Sequence, residues 1–250
     1  MSEVPRLRMF AGPNGSGKTT IKSVIRSELL GVYVNPDEIE KEIAQRGFLD
    51  LKNYRVETTA AEVLFFFNAS VLLNKAGLLD EAAGLRFNDD KLSFFSVLVN
   101  SYFASVAADF IRHKLLERGI SFTFETVMSS ADKIRFLQKA QQGGYRTYLY
   151  FLATDDPIIN ISRVRNRVRL GGHPVPDDKV IARYARSLGL LIEAIRYSNR
   201  AYVFDNSGHS ILWLAEVTDG QWLTMKTDRM PAWFKTAVWD KMSAMESENR

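Results

Sequence analysis

The chain has 250 residues, 46% of them hydrophobic and 25% charged, with a formal net charge of +4. That is the composition of an ordinary globular protein in water. The absence of cysteine excludes disulfides, thiolate metal centres and a cysteine nucleophile, and it fits a reducing cytoplasm. The mild basic excess contains no basic run interleaved with aromatics, so no nucleic acid partner is expected.

In chain order, residues 1–12 lack the apolar core of a signal peptide, and Leu7–Phe10 reads as a short strand. A glycine-rich loop follows, then a helix from Thr19 to about Leu30 and a second strand at Val32–Val34. Asn35 and Pro36 read as the cap and first turn of a helix running through Ala44. Residues 55–78 and 91–118 have helical period, interrupted by Gly77, Gly84 and the stretch 88–90. Residues 92–108 carry no charge but include Asn100 and several serines. They fall short of the roughly 20 apolar residues of a membrane span, so a buried helix and no membrane partner are expected.

Ile120–Glu125 alternates and reads as a strand. A helix from Ser130 to Gln142 ends at Gly143-Gly144, Tyr145–Ala153 is a strand, and Pro157–Leu170 is a helix. Ala201–Phe204, Ser210–Val217 and Gln221–Met225 read as strands joined by turns, and a final helix with a polar tail closes the chain. This alternation predicts an α/β fold with a mostly parallel sheet and helices on both faces. The expected organisation is one domain over 1–250, with a helical insert at 80–118, an arginine-rich lid at 157–190 and an antiparallel β extension at 201–226.

Gly12, Gly17, Lys18 and Thr19 satisfy the phosphate-loop pattern G-x-x-x-x-G-K-[ST], between a predicted strand and a predicted helix. Gly12, Asn14, Gly15, Ser16, Gly17, Lys18, Thr19 and Thr20 are therefore the predicted nucleotide-binding residues. Backbone N–H groups of such a loop point at phosphate oxygens, and the following helix offers its positive end to the same anion. Lys18 is expected at the outer phosphates and the Thr19 hydroxyl on Mg²⁺.

Phosphoryl transfer to a hydroxyl also needs a carboxylate for the acceptor and cations over the moving group. Asp37 follows the second strand and Glu125 ends the 120–125 strand, where an open parallel sheet places its crevice. Glu38 and Glu40 read as solvated neighbours, and Thr126 and Ser129 as donors beside Glu125. Arg163, Arg165, Arg167 and Arg169 crowd one helix in front of a Gly171-Gly172 break near His173, which predicts at least one arginine for anionic charge. Asp205-Asn206-Ser207 reads first as a turn.

Several of these segments, taken together, resemble the zeta toxin family of P-loop kinases, in its predicted-ATPase branch. They are Gly12 through Thr20, Val34 through Ile39, Phe124-Glu125-Thr126 and Arg163-Val164 through Arg167-Val168. Gly171-Gly172-His173, Pro176, Arg183-Tyr184, Ser187 and Asp205-Asn206-Ser207 continue the match, which covers roughly residues 7–207 in order. The resemblance implies a P-loop NTPase/kinase fold and use of ATP or GTP with Mg²⁺. It also implies transfer to a hydroxyl of UDP-N-acetylglucosamine, and an antitoxin protein as partner.

It gives Lys18 and Thr19 the phosphate and metal roles, Asp37 the catalytic base, and Glu125 the acid at the substrate-side strand end. Arg167, then Arg163, match the lid arginine. The chain departs from the toxins after Glu125, where Thr-Val-Met-Ser-Ser offers no basic substrate residue, and along 80–110. The acceptor class thus stays open to another nucleotide-sugar, a dinucleotide or an antibiotic. Two rival classes are a nucleotide-driven ATPase or switch acting on a protein partner, and an inactive fold retained for binding.

Overall fold

The computed structural model describes residues 4–248; the first three residues of the N-terminal segment and the last two of the polar tail lie outside the described residues. In chain order, β1 (Arg6–Ala11), α1 (Lys18–Val24), β2 (Val32–Val34), α2 (Pro36–Arg46) and β3 (Phe48–Asp50) lead into α3 (Ala60–Asn68), α4 (Val71–Ala76) and α5 (Leu79–Ala82). Then come β4 (Arg86–Asn88), β5 (Lys91–Ser93), α6 (Ser101–Glu117), β6 (Phe122–Thr126), α7 (Asp132–Gln142) and β7 (Arg146–Ala153). The chain ends with α8 (Pro157–Arg169), α9 (Asp177–Gly189), α10 (Leu191–Arg196), β8 (Arg200–Asp205), β9 (Leu212–Thr218), β10 (Trp222–Met225), α11 (Ala232–Phe234) and α12 (Asp240–Glu248). A π-helical turn over Lys235–Trp239 joins the last two helices.

The chain forms two compact units, Met1–Leu29 with Glu125–Arg250, and Leu30–Phe124. In the first unit the strand order is β10-β9-β8-β7-β1. β1, β7 and β8 run parallel. β9 and β10 add on antiparallel, as the turn-rich sequence after residue 200 predicts. β1 is buried at five consecutive positions, Leu7 through Ala11. Burial without alternation means that both faces of the sheet are covered by helices, which is the parallel α/β arrangement. The parallel strands therefore deliver Gly12, Thr154 and Asp205 to the same carboxyl-terminal edge.

In the second unit β2 pairs in parallel with Phe122–Phe124 of β6, and β3-β5-β4 form a small antiparallel sheet. Asn35 caps α2 by accepting from the Asp37 N–H at 2.8 Å, and Gly47 closes the helix with φ 75°. The core joins Phe67, Phe94 and Phe103 through T-shaped, edge-to-face ring contacts.

The helical reading of residues 91–118 is corrected at its start. Asp89 and Asp90 both adopt left-handed backbone, φ 50° and 60°, which builds a tight hairpin between β4 and β5. The helix begins only at Ser101, where Asn100 accepts from the Tyr102 and Phe103 N–H groups. Phe95 and Leu98, taken as part of a buried helix, lie on the irregular link and are 80% and 89% exposed. The 55–78 stretch likewise splits into α3 and α4, each with its own serine or threonine cap. The first helix is also shorter than predicted and turns extended at Ile25. Glu40, read as solvated, is buried on the inner face of α2 beside Ile39 and Ile43.

Candidate functional site

The loop between β1 and α1 is held open by backbone geometry that side chains would obstruct. Gly15 has φ 76°, and a Cβ there would lie 2.5 Å from the Asn160 carbonyl oxygen. Gly17 has φ 93°, and a Cβ there would lie 2.3 Å from Asn206 Nδ2. Both glycines therefore answer a left-handed backbone and a close neighbour at once. The Lys18 ammonium arches back over the loop and donates to the carbonyls of Gly12 at 2.8 Å and Pro13 at 3.0 Å.

Three side chains from distant parts of the chain brace this loop. Asn160 of α8, fully buried, donates to the Asn14 carbonyl at 2.6 Å and accepts from the Thr154 hydroxyl. Asn206, just past β8, donates to the Ser16 carbonyl at 2.8 Å, while its own N–H donates to the Ala153 carbonyl. Arg183 of α9 donates to the Asn14 side-chain oxygen at 3.4 Å. Beside it the Tyr184 hydroxyl donates to the Thr154 carbonyl at 2.6 Å. Burial, reinforced by Asp155, Asp156 and Asp205, pushes that phenol up to about 12, so it stays a donor at neutral pH.

On the open side, the Thr19 hydroxyl donates to Glu125 Oε2 at 3.4 Å, and Glu125 is buried. A carboxylate that accepts the hydrogen bond of the threonine hydroxyl leaves the lone pairs of that hydroxyl for a cation. Ser16 Oγ is fully buried inside the loop and has no hydrogen-bond partner among the described residues. A buried hydroxyl without a partner is costly unless an acceptor arrives. These features fit the phosphates of a nucleotide with a Mg²⁺ ion: Gly12 through Thr20 would hold the phosphates, and Thr19, backed by Glu125, would hold the metal.

The arginines of α8 divide by face. Arg163 and Arg167 are half-buried, whereas Arg165 and Arg169 are exposed. Arg163 reaches the Gly208 carbonyl at 3.5 Å and has a buried Nη1 with no hydrogen-bond partner among the described residues. Arg167 donates to the His173 carbonyl at 3.2 Å, folding the Gly171-Gly172 break back onto its own helix. Arg165 pairs instead with Asp177. Thr126 Oγ1 accepts from the Met128 N–H at 3.0 Å, a local turn in which Met128 takes φ 53°; Ser129 follows it, half-buried. Asp37 lies in the first turn of α2, in the second unit, with its side chain exposed.

Sequence reasoning did not single out Asn160, and it read Asn206 first as a turn residue, with no more than a minor role near the nucleotide. The available signal was an asparagine inside a helix, where its amide competes with the backbone and needs a partner elsewhere.

Residues 92–218 match the family model described as Zeta toxin. The matched span includes Glu125, Asn160, Arg163, Arg167 and Asn206, and begins well after the glycine-rich loop. An uncharacterized protein of Haemophilus influenzae is 29% identical over 72 residues; that match takes in 29% of this chain and about half, 51%, of its own length. Among solved structures, one described as the PezAT chromosomal toxin-antitoxin system of Streptococcus pneumoniae aligns over 99% of this chain and 86% of its own, with TM-score 0.51 and 15% identity. The AvrRxo1-ORF1:-ORF2 complex with ATP aligns over 97% of this chain and 64% of its own, with TM-score 0.52 and 16% identity. At these identities the two structures show a shared fold.

Proposed function

The chain belongs to the zeta toxin family, and from that premise we propose that it is a kinase transferring the γ-phosphate of ATP or GTP to a hydroxyl of a small molecule. UDP-N-acetylglucosamine is the proposed acceptor, on the strength of the family resemblance. The observation that carries the reading is the braced glycine loop, whose Thr19 hydroxyl meets the buried Glu125 carboxylate.

Bound Mg-nucleotide would supply the phosphoryl group and part of its charge neutralisation. Lys18 would exchange the Gly12 and Pro13 carbonyls for phosphate oxygens. Glu125 would fix the Thr19 hydroxyl so that its oxygen faces the metal. Asp37 is the proposed base for the acceptor hydroxyl; it follows β2, opens α2 and is exposed. Arg167, with Arg163 beside it, would take the charge of the transferred group by leaving the His173 carbonyl. Glu125, Thr126 and Ser129 are proposed for the substrate side, and an antitoxin protein as the partner.

The test is ³¹P NMR of the protein with Mg-ATP, with and without UDP-N-acetylglucosamine. A new phosphate ester should appear, and Asp37→Asn should keep nucleotide binding while losing at least roughly 100-fold in transfer. ADP and free phosphate without a new ester would move the reading to the ATPase class or to another acceptor. Full transfer by Asp37→Asn would leave Asp37 a helix-end acid only.

A further inference from the structure

The last helical segment, from Ala232 onward, lies beyond residues 92–218, yet one of its side chains reaches the turn that clasps the phosphate loop. Trp233 is 6% exposed, and its indole N–H donates to Asp205 Oδ2 at 2.8 Å. The same carboxylate accepts from the Ser207 hydroxyl at 2.8 Å and the Ser207 N–H at 3.0 Å. Ser207 Oγ in turn accepts from the Asp155 N–H at 2.8 Å, which ties the turn to the end of β7. Between the two anchored residues sits Asn206, whose side chain holds the Ser16 carbonyl and lies where a Gly17 Cβ would be.

We propose that Trp233 is a positioning residue for nucleotide binding: it orients Asp205, Asp205 shapes the 205–207 turn, and the turn holds Asn206 against Ser16 and Gly17. The inference deepens the kinase reading and rests on its assignment of this loop to phosphate. The physical ground is that Asp205 is a buried carboxylate with its acceptors engaged on both oxygens. Removing one donor leaves a buried charge short of a partner, and the turn must then rearrange to compensate. Trp233 also packs against Phe151 of β7 at 6.3 Å and Phe234 at 5.9 Å, so the indole has little freedom to aim elsewhere.

Trp233→Phe removes the donor and keeps a ring. In the full-length, nucleotide-free protein, hydrogen exchange of a peptide spanning residues 12–19 should accelerate about tenfold, the scale of one hydrogen bond to a charged group. Mg-ATP affinity by titration calorimetry should weaken by a similar factor. Trp239→Phe, on the same segment but 36% exposed, should change neither quantity. Ser207→Ala breaks the same turn without touching the buried indole and carries the test if Trp233→Phe does not fold; the same acceleration is expected. Unchanged loop exchange in either folded variant overturns the inference. Failure of the unaltered protein to bind Mg-ATP overturns the kinase reading instead, and the loop exchange still reports on the turn.

Discussion

The phosphate loop and the arginine helix are both rich in residues that read as anion binders, but they are built in opposite ways. The loop is pinned at Asn14 and Ser16 by Asn160, Arg183 and Asn206, and its glycines have no room for a side chain. Around the break after α8, Gly171 has φ 87° with nothing within 4 Å of a notional Cβ, and two of the four arginines face solvent. The difference teaches that one region is shaped by side chains from distant parts of the chain, while the other is held by contacts within α8 and the break that follows it, Arg167 to His173 among them. Donors held in place before binding lower the ordering cost of binding phosphate.

The largest test of that contrast is Lys18→Ala, which should abolish nucleotide turnover while the melting temperature changes little, as measured by coupled ADP release and thermal denaturation. Arg167→Ala should cost about 10²–10³-fold in kcat, the scale of one lost donor to developing charge, with a smaller change in KM. Arg165→Ala should alter neither, because its partner Asp177 is an exposed acid. Equal losses from the two arginines would erase the division of the helix by face.

The glycines sharpen the comparison on stability. Gly15→Ala should cost about 2–5 kcal/mol, from left-handed strain and the collision with the Asn160 backbone. Gly171→Ala should cost only about 1–2 kcal/mol, since it meets strain without collision. Chemical denaturation of both variants checks the difference. Asn160→Ala is expected to cost about 1–3 kcal/mol by leaving the Asn14 carbonyl and Thr154 hydroxyl short of a partner. It should weaken nucleotide binding as well; unchanged binding would mean that the loop keeps its shape without this brace.

Local chemistry made much of the molecule readable in advance. The phosphate loop is a contiguous motif, Asn35-Pro36 opens α2 by capping, and the turn-rich end folds as antiparallel strands. Each of these signals acts within a few residues, so the chain order carries it. Apolar period alone misled at residues 91–100, where the hairpin at Asp89-Asp90 outweighs the helical pattern. Which arginine faces inward, why Glu125 meets Thr19, and which side chains brace the loop were decided by tertiary structure. Asn160, Asn206 and Trp233 act across 146, 190 and 28 positions of sequence. Partners that far apart meet only because the parallel strands end at one edge, and no local propensity encodes that meeting.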